Sequence, residues 1–306
     1  MRVHSRSELI ALGHNDIELR HRLRAGELRR VSAGIYQEGE GSDEELHRHL
    51  MSREEGILGL ESAALLHGLP LAHVPELLQV IEHRTGKRIR GYRSFTGGRI
   101  DRDIVSVNGL RCTSVARTLV DLARLRPMMS ALIPWEAALW RDRTRDGDRT
   151  ALEPGPLRTE IDEVLEASRR FKGVAKARAL HKDASAFSES PMETRSRIVI
   201  RRLALPEPQQ QFPVADHDGE IIGFTDFGWP DLGVLGEYDG EGKYDELARP
   251  GETARDVLRR EKWRQERMEA MGWVIARWGK EEIAAPQKLR RLILQHFERA
   301  RRRAAA

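Results

Sequence analysis

Residues 211–240 read QFPVADHDGEIIGFTDFGWPDLGVLGEYDG, and the spacing within them decides the fold of the last third of the chain. Asp218-Gly219 sits between two strand-like runs, Gln211 to Ala215 and Glu220 to Gly228, which predicts a tight hairpin. Pro230 to Gly233 turns the chain again, so Val234 to Asp239 is read as a third antiparallel strand. Working outward, Ser190-Pro191-Met192-Glu193 combines an N-cap serine, a proline at the first helical position and a capping-box glutamate. A helix is expected from there to about Leu205, stopped by Pro206 and Pro208. On the other side, Thr253 to Met271 reads as a long charged helix closed by Gly272, and Trp273 to Trp278 as a fourth strand. Gln287 to Arg303 is a basic closing helix. The order is helix, three antiparallel strands, helix, strand, with Trp229, Trp273 and Trp278 expected in the core.

Carboxylates fall at particular places in this order. Asp226 comes late in the second strand, and Glu237 and Asp239 lie two apart on the third, so the last two share a sheet face. With Asp226 paired beside them, three carboxylates converge. Such a cluster repels itself unless a cation neutralises it, and carboxylate oxygens are the ligands that hard metals prefer. A bound Mg2+ (or Mn2+) would polarise a scissile phosphate and activate a water, while the nearby Lys243 offsets charge building on the phosphate.

Glu193, Thr225-Asp226-Phe227, Gly236-Glu237-Tyr238-Asp239-Gly240 and Lys243-Tyr244 together resemble the restriction-endonuclease-like PD-(D/E)xK superfamily, closest to its Vsr-like branch, from Glu189 to Arg299. The resemblance implies a mixed sheet flanked by helices, and a metal held by Glu193, Asp226 and Glu237. The implied reaction is hydrolysis of DNA phosphodiester bonds. The sequence departs from the family at Asp239, which stands where a lysine usually sits, and Lys243 is the candidate to supply that charge. Two functions are therefore expected as alternatives: a metal-dependent nuclease, with Asp239 and Lys243 completing its site, or a DNA-binding transcriptional autoregulator or antitoxin whose nuclease fold is no longer catalytic.

The first forty residues predict a winged helix-turn-helix. An amphipathic stretch, Ser7 to Leu12, breaks at Gly13. Asn15 then caps a second helix bearing Ile17, Leu19 and Leu23 and ending at Gly26. Leu28 to Val31 and Ile35 to Gln37 come next as a hairpin. The second helix carries Arg20, His21, Arg22 and Arg24, and its arginines are the candidate DNA contacts. Downstream, a helix is expected from Asp43 to Leu66, stopped at His67-Gly68-Leu69-Pro70, with His67 a helix-end residue. Strands are expected at Leu77 to Glu82, Ile89 to Ser94 and Ile104 to Val107, and a helix at Thr113 to Leu125. A surface linker is expected from Arg141 to Pro156, helix from Leu157 to Leu180, and a boundary at Ser185 to Ser190.

Gly26-Glu27-Leu28-Arg29-Arg30-Val31 with Gly34-Ile35-Tyr36, Ser62-Ala63-Ala64 with Leu66-His67-Gly68-Leu69, and the run Thr113-Ser114-Val115-Ala116-Arg117-Thr118-Leu119-Val120-Asp121 look like AbiEi-type antitoxins. That resemblance implies a winged helix on promoter DNA and a second domain, C-terminal to it, that opposes a toxin of nucleotidyltransferase type, in a type IV toxin-antitoxin system.

Composition agrees with a multidomain α+β chain. Its 306 residues suffice for two or three domains, here read as 1–41, 42–184 and 185–306. With 40% hydrophobic and 33% charged residues and a mean hydropathy of −0.56, no run approaches membrane-spanning length. Met1 to Ile10 is polar and has no apolar signal segment, so a cytoplasmic protein is expected. The single cysteine, Cys112, excludes an intramolecular disulfide and a cysteine-rich zinc site. A net charge of +4 and a pI of 9.4 suit a nucleic-acid partner.

Overall fold

A computed structural model describes residues 2–32, 34–42, 45, 51, 56–75, 77–82, 88–89, 92–96, 101–150, 153–240 and 253–305. The chain is a mixed α+β protein with three sheets, and it divides into two compact units, Met1–Ala186 and Phe187–Ala306. Among the described residues no helix is long and apolar enough to cross a membrane.

The first unit opens with β1 (Arg2–Ser5), α1 (Arg6–Ala11), α2 (Asp16–Arg24), β2 (Leu28–Ser32) and β3 (Ile35–Glu38). Asn15 caps α2 as its sequence position requires, its Oδ1 accepting from the amides of Ile17 and Glu18 at 3.0 Å. The sheet order is β1-β3-β2, all antiparallel. The sequence reading missed β1, because four residues just before a helix have no alternation long enough to read. Leu9, Leu19, Leu28 and Tyr36 form the local core. Val3, Val31 and Ile35 pack instead with Leu58, Val80 and Cys112, so the opening sheet shares apolar burial with the second sheet of this unit.

That second sheet has the order β6-β7-β5-β4-β9-β8, from β4 (Ile57–Leu58), β5 (Leu78–Glu82), β6 (Arg88–Ile89), β7 (Tyr92–Thr96), β8 (Ile104–Val107) and β9 (Leu110–Thr113). Helix α3 (Leu60–Leu66) comes after β4, and α4 (Val115–Leu125), α5 (Met128–Arg143), α6 (Leu157–Ala167) and α7 (Val174–Asp183) come after β9. Ile57–Leu58 is thus strand, where a helix from Asp43 to Leu66 was expected; most of 43–55 lies outside the described residues. The expected helix Leu157 to Leu180 is broken into α6 and α7 at Gly173. There φ is +85°, and a Cβ would lie 2.6 Å from the carbonyl oxygen of Arg124, so only glycine fits. Helix α5 was not foreseen, and Arg141 to Arg143, read as linker, close it. It is buried from Ala131 to Trp140, Glu136 included, and a helix buried on all sides has no 3.6-residue alternation to reveal it.

The second unit contains α8 (Pro191–Arg202), β10 (Gln209–Ala215), β11 (Ile221–Trp229), β12 (Val234–Tyr238), α9 (Ala254–Ala270), β13 (Val274–Trp278), α10 (Lys280–Ala284) and α11 (Pro286–Ala304). The sheet order is β10-β11-β12-β13, with the first two pairings antiparallel and the last parallel. One core contains Ile200, Phe227, Trp229, Val234, Tyr238, Trp278, Leu289 and Ile293, from the sheet, α8 and α11. The other contains Val214, Leu235 and Met268, with Trp273 and Ile275 packed against it, and brings in α9. Gly236 lies where Trp278 crosses the sheet: a Cβ there would come within 2.6 Å of the indole. Alternation along β12 therefore puts Val234 and Tyr238 in one core and Leu235 in the other, and Glu237 shares the side of Leu235.

Candidate functional site

Glu193 stands in the first turn of α8, and its own amide donates to Ser190 Oγ at 3.2 Å. Its carboxylate does not close the expected capping box on Ser190. Instead Oε2 accepts from the Glu189 amide at 2.9 Å and from Gln211 Nε2 at 3.1 Å. Gln211 has φ +47°, a left-handed conformation, and lies across from Asp226, between the pairs Gln210↔Phe227 and Phe212↔Thr225. The Glu193 side chain is buried, and that burial, reinforced by the charge of Asp226, pushes its carboxyl from the usual 4.5 up to about 8. Asp226 is half-buried, and its Oδ2 accepts from the Tyr238 amide at 2.7 Å, just past the last paired residues Phe227 and Gly236. Glu193, Gln211 and Asp226 thus form one polar cluster where β10, β11 and β12 meet the start of α8.

Glu237 is differently placed. Its Oε1 accepts from Arg264 Nη2 of α9 at 2.6 Å and its Oε2 from Arg277 Nε of β13 at 3.0 Å. The parallel register sets Glu237 directly beside Arg277. Burial opposes its ionisation, but Arg264 and then Arg277 outweigh burial and hold the carboxyl below its usual range. Arg264 also pairs with Glu261 and donates to the carbonyl of Phe224 at 3.1 Å, which fixes its position. Asp239 is exposed beyond the end of β12, held by its backbone amide to the carbonyl of Trp278 at 2.9 Å. Lys243 lies outside the described residues.

The expected convergence of three carboxylates therefore does not occur. Among the described residues no three His, Cys, Asp or Glu side chains are grouped so as to hold a metal ion. Asp226 and Glu193 feel each other's charge, whereas both oxygens of Glu237 are neutralised by guanidinium groups. As placed, Glu193, Asp226 and Glu237 do not fit the ligand set for Mg2+ or Mn2+ that the resemblance implies. Arg264 and Arg277 are the residues that sequence reasoning missed. A basic residue in a charged helix and another in a short strand give no local sign of the carboxylate they will meet.

The candidate DNA contacts separate as well. Arg20 and Arg24 are exposed on α2, and Arg20 Nε donates to the carbonyl of Asp16 at 3.1 Å. Arg22 is instead drawn inward. It pairs with Glu38 at 2.5 Å and Glu27 at 3.1 Å, fastening α2 to β3, so it is not presented as the other two are. Arg29 and Arg30 of β2, not singled out from the sequence, add exposed positive charge beside α2.

The run Thr113 to Asp121 is held by a buried ion network. Arg117, buried, donates to Asp121 at 2.6 Å and to Asp103 at 3.1 Å, and Asp121 also pairs with Arg124. Burial dominates at Asp121 and raises its pKa, with the two arginines opposing. His67 Nε2 lies 2.7 Å from the carbonyl oxygen of Thr113, which ties the end of α3 to β9. Cys112 beside it is buried, and desolvation pushes its thiol up to about 11, so it carries no thiolate chemistry near neutral pH.

No family model matches the chain. It is 31% identical over 206 residues to "Uncharacterized protein MT2308" of Mycobacterium tuberculosis strain CDC 1551 / Oshkosh, covering 67% of each chain. The same identity and coverage hold for "Uncharacterized protein Rv2248" of strain ATCC 25618 / H37Rv.

Proposed function

The chain belongs to the family of these two mycobacterial proteins, and for it we propose the role of a cytoplasmic DNA-binding regulator whose nuclease-like second unit is not catalytic. In this reading β1 to β3 with α1 and α2 act as a winged helix-turn-helix. Arg20 and Arg24 reach phosphates from α2, and Arg29 and Arg30 reach them from the hairpin. The second unit is read as a PD-(D/E)xK-like core on the strength of its helix, three-strand, helix, strand order. The observation that carries the non-catalytic reading is the pairing of both Glu237 oxygens with Arg264 and Arg277, which removes the charge a metal would need. The AbiEi resemblance adds a nucleotidyltransferase-like toxin as partner.

A second reading, metal-dependent hydrolysis of DNA, is favoured by one observation: Glu193 and Asp226 lie close enough to repel. Incubating the purified chain with labelled single- and double-stranded DNA, with magnesium, manganese or chelator, separates the two. Retention of duplex without cleavage under every condition is expected. Cleavage that needs the metal and disappears in Asp226→Asn would replace the regulator with the nuclease.

A further inference from the structure

We infer that the outer face of α11, in the second unit, is a further docking surface for duplex DNA, contacting its phosphate backbone. Leu289, Ile293 and Ala300 bury one side of this helix in the core. On the opposite side Lys288, Arg291, Arg299 and Arg302 are all exposed. At 3.6 residues per turn these four fall within an arc of roughly 80° and span roughly 21 Å along the axis. They form a basic stripe along the helix; Arg290 and Arg301 are also exposed, but lie roughly 80–100° round the helix from its edge.

A solvated helix surface is the plain alternative, and the same unit contains one for comparison. Helix α9 carries six bases against four acids, and most of its charges are paired: Arg259 with Asp256, Lys262 with Glu266, Arg264 with Glu261, and Arg267 with Asp216 outside the helix. Helix α11 carries seven bases against one acid, Glu298. Among the described residues its ion pairs are Arg302 with Glu298 at 3.0 Å and Lys288 with Glu281 at 3.9 Å. Arg291 and Arg299 have none there. Helix stability does not account for this pattern. Arg301 to Arg303 suit the negative end of the helix dipole, but the first turn has Lys288 and no acid, where the dipole disfavours a cation.

The form of the stripe selects the partner. Stable membrane docking by a helix adds apolar insertion to charge, and of the apolar residues of α11 Leu289, Ile293 and Ala300 are already buried in the core, while Leu294 is exposed. Arginine forks along a helix match phosphate oxygens, which a duplex presents at regular intervals. This surface is separate from α2 and does not depend on the winged-helix assignment.

The test uses the full chain and fluorescence anisotropy with a labelled duplex of about 30 bp, titrated between about 50 and 200 mM salt. Arg291→Gln/Arg299→Gln/Arg302→Gln is expected to lower the slope of log affinity against log salt by about 2 to 3, each phosphate contact contributing about 0.9. Its thermal melt should stay unchanged, and Arg291→Lys/Arg299→Lys/Arg302→Lys should recover most of the slope. If the triple glutamine variant melts early, Arg299→Gln alone should lower the slope by about 0.9. Arg20→Gln/Arg24→Gln, run in parallel, reports on α2. A slope that falls only in the α2 variant overturns the α11 surface and leaves the winged-helix reading standing. A fall only in the α11 variant does the reverse. Absence of duplex binding by the wild type overturns both. Polyglutamate displacing duplex at equal charge would replace DNA with an acidic protein partner and overturn the inference.

Discussion

Replacing Glu193 by glutamine should stabilise the second unit relative to the wild type, by an amount that grows as pH rises. The carboxyl is buried beside Asp226 and holds its proton to about pH 8, against a usual 4.5. Below pH 4.5 folded and unfolded chains both bind that proton; between 4.5 and about 8 only the folded chain does; above 8 neither does. The folded state therefore binds more protons throughout that window, and stability falls as pH rises across it. At about 1.4 kcal/mol for each tenfold change in proton affinity, the full cost above pH 8 has an upper limit of about 5 kcal/mol. Glutamine keeps an oxygen to accept from the Glu189 amide and Gln211 and has no charge to bury. Urea unfolding monitored by tryptophan fluorescence, at pH 5 and pH 9, is the assay. Glu193→Gln is expected to exceed the wild type by less than about 1 kcal/mol at pH 5 and by several kcal/mol at pH 9, within the limit set by burial. A difference equal at both pH values would refute the argument, because it would show that Glu193 ionises in the fold as readily as in the unfolded chain. Magnesium adds a second readout: the regulator reading expects it to leave the wild-type midpoint at pH 9 unmoved, whereas a metal held by Glu193 and Asp226 would raise it.

Named contacts elsewhere set further expectations. Arg22→Ala should lower the melting temperature of the first unit, losing about 1 kcal/mol or less because its ion pairs with Glu27 and Glu38 are only partly shielded; a variant that loses DNA affinity at full stability would return Arg22 to the DNA face. Arg117→Met should cost about 3 to 5 kcal/mol, since Asp103 and Asp121 would be left buried without their shared cation; a near-native chemical melt would contradict this. Gly236→Ala should destabilise the second unit by about 1 to 3 kcal/mol through overpacking against Trp278, read as an earlier thermal melt.

Much of the second unit is written in local chemistry. The Asp218-Gly219 turn, the Ser190 cap, Gly272 and the alternation of Val234 to Tyr238 each act over a few residues, and the elements they announce are present. Asn15 marks the start of α2 for the same reason, through a bond to amides two and three residues on. Where the pattern has no contrast the sequence is silent. Helix α5 is buried on all sides through its middle, β1 is four residues long, and Ile57–Leu58 continues a helical-looking run until β5 and β9 claim it as a strand.

The candidate site divides along the same line. That Asp226 and Glu237 lie on neighbouring strands, with Glu193 at the start of a capped helix, can be read from the sequence alone. Which charge each carboxylate meets cannot. Glu237 is answered by Arg264, 27 residues away, and Arg277, 40 residues away, and Arg22 is answered by Glu38 across 16. Electrostatic energy depends on separation in space and on the burial around each pair, and neither quantity exists until the helices and strands have packed.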